Sequence, residues 1–365
     1  MTDPSPDSPP AGPSAGSRFL LVACQAGAEE GVFLTQELLL PQLTRGAWRR
    51  GVVTFRLPQD TDISDAALIP FARIAIESLG QVTGASTAAL ATAIAAAAAP
   101  ATDHVHVWQR EAPARRKAKE DGSAEPMPSA AEVQAAVAAT LGCPHANTGS
   151  EAVAGSVASR GEQVLDVIID SPGRAWLGWH TVTTPSGCWT GGLYPGQLPD
   201  DAVSRAWLKL DEALAVFEIP LQAGQRACEL GAAPGGASQR MLSLGLSVVG
   251  IDPAEIEPRV AEHPRFKHWQ MRARDVRLRQ LRGFDWLVTD MNIDPSSTME
   301  ALERVATAPG NGLKGIIATL KLPQWQRAAD LPAWLDRFRS WGFPALARQL
   351  STGGRELCVV ARRPS

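Results

Sequence analysis

Ala227-Cys-Glu-Leu-Gly-Ala-Ala-Pro-Gly-Gly236 reads as a short apolar strand that runs into a glycine turn, with a helix beginning at Ala237-Ser-Gln-Arg240. Glycines at 231, 235 and 236 let the backbone turn sharply and come close to a ligand that a Cβ would hold off. Glu229 stands at the end of the strand. Beyond the helix a second apolar run, Leu246-Ser-Val-Val-Gly-Ile251, ends in Asp252. A carboxylate at the tip of the second strand is where a doubly wound α/β fold holds ribose hydroxyls.

The turn lacks the third glycine of the dinucleotide fingerprint, and no Lys-Ser or Lys-Thr follows it as in a P-loop. Pro234 ahead of Gly235 and Gly236 suits a loop around an amino-acid-bearing ligand better than one around a pyrophosphate. Taken alone, the segment is also compatible with a generic strand-to-helix turn.

Working outward, 365 residues are enough for two or three domains. A hydrophobic content of 45% and a charged content of 20% fit a soluble globular chain. No apolar run reaches membrane-span length and no signal pattern opens the sequence, so a cytoplasmic location is expected. The 5 cysteines, at 24, 143, 188, 228 and 358, form no Cys-x-x-Cys pair. Neither zinc nor a disulfide framework is expected, and Cys143 with His145 reads as structural. The net charge of −3 is uneven. Residues 1–203 carry 13 Lys and Arg against 21 Asp and Glu, whereas residues 204–365 carry 22 against 17. A polyanion would meet the C-terminal half more readily.

Residues 1–17 have almost nothing to bury and read as a disordered tail. Strands are expected at 18–24 and 51–56, with a helix from Gly27 to Leu40 between them. An alanine-rich surface helix is expected at 88–99. His104-Val-His-Val-Trp108 alternates like a half-buried strand whose histidines face solvent. Residues 111–130 read as an exposed loop and 131–141 as a helix. A strand, turn and strand follow over 163–180, with Trp176, Trp179 and Trp189 packed within the sheet rather than stacked on bases. The proline- and acid-rich stretch at 195–201 marks a domain boundary. Beyond it, strands near 226–230, 246–251, 266–271, 284–289, 313–320 and 356–362 alternate with helical or irregular stretches, the pattern of a mainly parallel sheet.

Three polar residues sit at the ends of those strands. Asp290 follows Phe284-Asp-Trp-Leu-Val-Thr289, Lys321 follows the run ending in Leu320, and Glu356 opens the last strand. Lys209 lies just upstream, in Ser204-Arg-Ala-Trp-Leu-Lys-Leu-Asp-Glu212. Ligands of open α/β sheets bind beyond the carboxyl ends of the strands, so the four can converge beside the glycine turn. A lysine is a general base only when neutral; a neighbouring ammonium and partial desolvation lower its pKa, and carboxylates orient it. The chemistry expected is a hydroxyl attacking an activated methyl group. A solvated ion-pair network is the alternative for any one of these residues.

Ser-Arg-Ala-Trp-Leu-Lys-Leu-Asp-Glu, Leu-Gly-Ala-Ala-Pro-Gly-Gly, Thr289-Asp-Met291, Leu320-Lys-Leu-Pro323 and Arg355-Glu-Leu357 together resemble the FtsJ-type RNA ribose 2′-O-methyltransferases. The resemblance covers the stretch from Ser204 to Leu357 in order. It implies a Rossmann-like domain that uses S-adenosylmethionine and a catalytic tetrad carried by Lys209, Asp290, Lys321 and Glu356. It also implies cofactor contacts from Glu229, Gly231, Pro234, Gly235, Gly236, Asp252 and Asp290, with Asp275 near the adenine. Leu320-Lys-Leu-Pro323, and Asp290-Met followed by Pro295, resemble the branch of ribosomal RNA large subunit methyltransferase M, which implies a cytidine ribose of 23S rRNA, or of a large-subunit precursor, as substrate.

In the front half, Phe19-Leu-Leu-Val-Ala23, Ile69-Pro-Phe-Ala-Arg73 and Cys188-Trp-Thr-Gly191 resemble that branch's N-terminal region, which contains a THUMP-type RNA-binding domain. The implied architecture is a tail at 1–17, an α+β domain at 18–100, a THUMP-like domain at 101–195 and the methyltransferase domain at 200–365. The basic stretch from Arg265 to Arg282 is expected to track RNA phosphates. Two rivals stand beside this reading, a catalytically silent RNA-binding protein of the same fold and a methyltransferase acting on another RNA or a small molecule. Monomer and dimer are both left open.

Overall fold

The computed structural model describes residues 18–59, 61, 69–98, 102–110, 129–142 and 157–363. The expected tail and nearly all of the expected loop at 111–130 lie outside these residues, as do Cys143 and His145. The chain divides into two compact units between Pro195 and Gly196.

The front unit runs β1 (Arg18–Cys24), α1 (Glu29–Leu39), β2 (Thr44–Arg49), β3 (Val52–Leu57), β4 (Ala72–Thr83), α2 (Thr87–Ala97), β5 (His104–Gln109), α3 (Ala130–Leu141), β6 (Gln163–Ser171) and β7 (Arg174–Thr181). These strands make one seven-stranded sheet in the order β2-β3-β1-β4-β7-β6-β5, parallel only between β5 and β6. The sheet crosses residue 100, where a domain boundary was expected, because β4 pairs with β7.

Side chains alternate across a strand, and both faces of this sheet are covered. Val105, Val107, Leu165, Val167, Ala175 and Leu177 share a core with Leu90 and Ile94 of α2 and Val133 and Val137 of α3. The alanine-rich helix therefore buries one side rather than lying wholly on the surface. Ser129 caps α3 and Glu132 answers it, a reciprocal capping box. On the opposite face Trp108, Ile168 and Trp176 pack with Leu21 and Ile74.

That second face corrects the reading of the histidines. His104 and His106 are 5% and 0% exposed, not solvent-facing. His106 lies opposite Asp166 in the β5–β6 register, and His180 Nδ1 is 2.5 Å from Asp166 Oδ2. His180 Nε2 lies 3.0 Å from the carbonyl oxygen of Gly187, in the turn at 185–188. A carboxylate and a carbonyl at its two ring nitrogens favour the imidazolium form of His180. Burial opposes its charge, but Asp166 and the Gly187 carbonyl outweigh burial and raise its pKa.

The second unit runs α4 (Ala206–Val216), β8 (Arg226–Leu230), α5 (Gly236–Ser243), β9 (Ser247–Ile251), α6 (Pro258–Ala261), β10 (Phe266–Trp269), β11 (Trp286–Thr289), α7 (Pro295–Ala306), β12 (Gly315–Lys321), α8 (Leu331–Ser340), β13 (Ala345–Arg348) and β14 (Glu356–Arg362). Its sheet has the order β10-β9-β8-β11-β12-β14-β13, with β14 antiparallel to both neighbours and the other pairs parallel. The chain winds outward from β8 in both directions, the Rossmann-like arrangement that leaves a crevice where the order reverses. On one face Ala227, Val248, Val288, Ile317, Cys358 and Val360 pack under Leu210 and Ala213 of α4 and Met241 of α5. Leu287, Ile316, Ala318 and Val359 point the other way and are also buried.

Candidate active site

Counting along the strands in steps of two places the polar residues. Glu229 follows Ala227, Asp252 follows Val248 and Gly250, and Asp290 follows Val288. Lys321 follows Ile317 and Thr319, and Glu356 precedes Cys358. All therefore fall on the face covered by α4 and α5. Lys209 reaches the same place from α4. Lys321 and Glu356 are directly opposed in the antiparallel register of β12 and β14.

The result is a closed ring of alternating charge. Lys209 Nζ lies 3.1 Å from Asp290 Oδ2 and 2.7 Å from Glu356 Oε1. Lys321 Nζ lies 2.8 Å from Asp290 Oδ1 and 2.6 Å from Glu356 Oε2. Each carboxylate divides its two oxygens between the two ammonium groups. The structure thus brings together all four residues expected to carry the chemistry.

The charge state of Lys321 differs from expectation. Burial works against the Lys321 ammonium, yet Asp290 and Glu356 prevail and hold its pKa above the ordinary lysine value. Glu356 is likewise held below the usual carboxylate range, because Lys209 and Lys321 outweigh its burial. Lys321 is thus held as an ammonium, not the neutral amine anticipated from its lysine neighbour. The sequence shows that a second lysine is near, but not that two carboxylates embrace both.

Glycines 231, 235 and 236 are required, but by protein atoms. Gly231 has φ +76° and a Cβ there would lie 2.5 Å from Met291 Cγ; Gly235, at φ +117°, precedes α5. A Cβ on Gly236 would lie 2.1 Å from Ser204 Oγ and 3.0 Å from the Trp207 nitrogen, at the start of the helix that carries Lys209. Gly236→Ala should therefore shift α4 and cost about 1–3 kcal/mol, as overpacking typically does. Thermal unfolding beside wild type checks this, and an unchanged melting temperature would count against the tight contact. Pro234 follows a cis peptide bond, and its carbonyl accepts from the Glu257 amide at 3.0 Å.

Asp252 organises the turn. Its Oδ2 accepts from the Ala233 amide at 3.1 Å and its Oδ1 from the Ala254 amide at 2.8 Å. Glu229 is buried and takes a 2.5 Å hydrogen bond from Ser238 Oγ at the start of α5, a partner the sequence did not single out. Burial chiefly, with repulsion from Asp290 and Asp252, pushes Glu229 up to about 8 against the pull of Ser238. Asp275 stands apart, exposed in the short turn at Ala273–Asp275 beside Arg274. Among the described residues no group of three or more His, Cys, Asp or Glu is placed to hold a metal ion.

With this geometry established, part of the chain can be set beside known proteins. The FtsJ-like methyltransferase family matches residues 202–331. This segment is similar to FtsJ-like methyltransferase domains. Of the four ring residues, Lys209, Asp290 and Lys321 lie within the matched stretch and Glu356 beyond it. The chain is 34% identical over 191 residues to the ribosomal RNA large subunit methyltransferase M of Xylella fastidiosa strain 9a5c, covering 50% of this chain and 53% of that protein. It is 32% identical over 180 residues to the protein of that name from Shewanella sp. strain ANA-3, covering 47% and 48% respectively. The chain thus spans about half the length of these curated relatives. No helix among the described residues of either unit is long and apolar enough to cross a membrane.

Proposed function

We propose that this chain methylates a ribose 2′-hydroxyl of RNA with S-adenosylmethionine, the expected substrate being a cytidine of large-subunit rRNA. The observation that carries the reading is the ring of Lys209, Asp290, Lys321 and Glu356 beside the Pro-Gly-Gly turn. The residues suit the cofactor. Asp290 and Asp252 each lie close enough to Glu229 for their charges to raise its pKa, and the two aspartates beside the turn suit a cationic ligand. Gly231, Pro234, Gly235 and Gly236 shape the turn that would hold its methionine part, with Asp252 toward the ribose and Asp275 toward the adenine. When bound, S-adenosylmethionine supplies an electrophilic methyl on a cationic sulfonium.

Lys321 is the base in this reading. Lys321 would release its proton to water when a cationic ligand and Lys209 stand beside it. The neutral amine would then take the 2′-hydroxyl proton while that oxygen bonds to the methyl carbon, the methyl–sulfur bond breaks and the sulfur leaves as a neutral thioether. Asp290 and Glu356 fix the amine, so that much of the rate comes from positioning. Ribose-methylation mass spectrometry of large-subunit rRNA, incubated with the protein and cofactor, tests the reading. Absence of any ribose-methylated product across rRNA and tRNA would leave the silent-binder alternative standing.

RNA capture falls to two surfaces. The front unit acts as the THUMP-like RNA-binding part of the chain. Arg265, Lys267, Arg272, Arg274, Arg277, Arg279 and Arg282 are all exposed on the methyltransferase unit and track phosphates. Each phosphate contact contributes roughly 0.9 to the slope of log affinity against log salt. Arg277→Ala/Arg279→Ala should weaken RNA binding and flatten that slope by up to about 2 on this rule, in a filter-binding series over salt. An unaltered slope removes those two arginines from the interface. A cytoplasmic location accompanies this reading.

A further inference from the structure

Glu212 lies one helical turn beyond Lys209 on α4, is 2% exposed and has no part in the ring. Its carboxylate spans to the turn between β13 and β14. Oε1 accepts from the Ser351 amide at 2.7 Å, and Oε2 from the Thr352 amide at 2.8 Å and the Thr352 hydroxyl at 2.7 Å. Within that turn Gln349 Nε2 donates to the Gly354 carbonyl at 2.9 Å, and the Gly354 amide approaches Glu356 Oε1 at 3.3 Å. A Cβ on Gly353 would lie 3.0 Å from the same oxygen. Oε1 is also the atom that meets Lys209, at 2.7 Å.

These contacts close a circuit. Helix α4 holds the turn through Glu212, the turn delivers Glu356, and Glu356 returns to α4 through Lys209. We propose that Glu212 is a positioning residue, which sets where Glu356 stands and so keeps the carboxylate bridged between Lys209 and Lys321. The role rests on the methyl-transfer reading for its consequence in rate, but not for its consequence in geometry. Arg348 and Cys358 also feel the Glu212 charge.

Glu212→Gln tests this. The amide offers one oxygen to three donors and turns its own NH2 toward them, so at least one buried donor loses its partner. The turn then relaxes and Glu356 withdraws from Lys321, whose ammonium it helps to hold. The chain has only 6 lysines, so labelling them with carbon-13 at Cε allows Lys321 to be followed by NMR. In Glu212→Gln the Lys321 titration should move to lower pH than in wild type. Methyl transfer should fall by on the order of 10²-fold, the effect of a displacement of about an ångström, with cofactor affinity unchanged. Thr352→Val removes a single donor and should move both readouts the same way by less, which serves if Glu212→Gln folds poorly. A Lys321 titration unmoved in both variants would overturn the proposal, as would loss of activity only in step with loss of cofactor binding. A wild type that transfers no methyl group while its variant shows the shifted titration would sink the methylation reading and support the positioning role.

Discussion

Lys321→Ala should abolish methyl transfer and leave cofactor binding at least as tight as in wild type. The general-base contribution alone is about 10²–10⁴-fold in rate. Lys321 also anchors one oxygen of each carboxylate, at 2.8 Å and 2.6 Å, so its loss slackens the site further. Cofactor affinity should hold because the glycine turn and Asp252 belong to other strands. Losing an ammonium also leaves the surroundings more negative for a cationic ligand. Lys321→Arg separates the two roles of the amine, because a guanidinium keeps the charge but cannot surrender a proton. Isothermal titration and single-turnover methylation of both variants provide the check, and turnover by Lys321→Arg at the wild-type rate would falsify the base assignment. The raised pKa of Lys321 sets a further sign: the single-turnover rate should climb with pH above neutrality until the amine is freely deprotonated.

His180→Ala should cost the front unit about 3–5 kcal/mol, the usual penalty for removing one partner of a buried ion pair. Asp166 is 0% exposed and would be left among Ile168, Trp108 and Trp176 without its imidazolium. Asp166→Ala/His180→Ala should lose less than the sum of the single changes, since neither charge is then stranded. Because folding raises the His180 pKa, the stabilisation is fully present below the unfolded value of about 6.5 and is lost as pH rises through the folded value. Three groups face the ring, Asp166 from β6, His106 from β5 and the Gly187 carbonyl from the turn above. Denaturant melts of wild type and His180→Ala across pH 5 to 9 (about the range in which imidazole titrates) read both effects. Parallel curves at every pH would show that the pair contributes no pH-dependent stability.

β8, β9, β11 and β12 of the second unit are legible in the sequence because each apolar run is closed by a glycine or a charge. The convergence of Asp290, Lys321 and Glu356 was legible for a related reason. A parallel sheet gathers the ends of its strands, and parity puts residues spaced by two on one face. β2 and β13 are not legible. Thr-Arg-Gly-Ala-Trp-Arg and Ala-Leu-Ala-Arg carry little apolar area, and they become strands only because β3 and β14 offer hydrogen-bonding edges. The burial of His104 and His106 was hidden likewise, since a polar residue alternating with valine looks the same whether it meets water or a carboxylate on the next strand. Glu212 escaped notice because its three donors sit some 140 residues away in sequence. The glycine turn lies where the sequence places it, and Ser204 and Met291, which only folding brings near, add a packing reason for Gly236 and Gly231.

The ring of four charges has a consequence for how a nucleic acid would find it. Two positive and two negative groups alternating around a square cancel, and such an arrangement fades within a few ångströms in salty water. The chemical centre is therefore nearly invisible from a distance. If the chain binds RNA as proposed, long-range attraction would come from the exposed arginines between 265 and 282, while the centre would act only on atoms already in contact with it. On that reading recruitment and reaction would be separately adjustable: the flank could gain or lose charge without disturbing the balance that holds the amine in place.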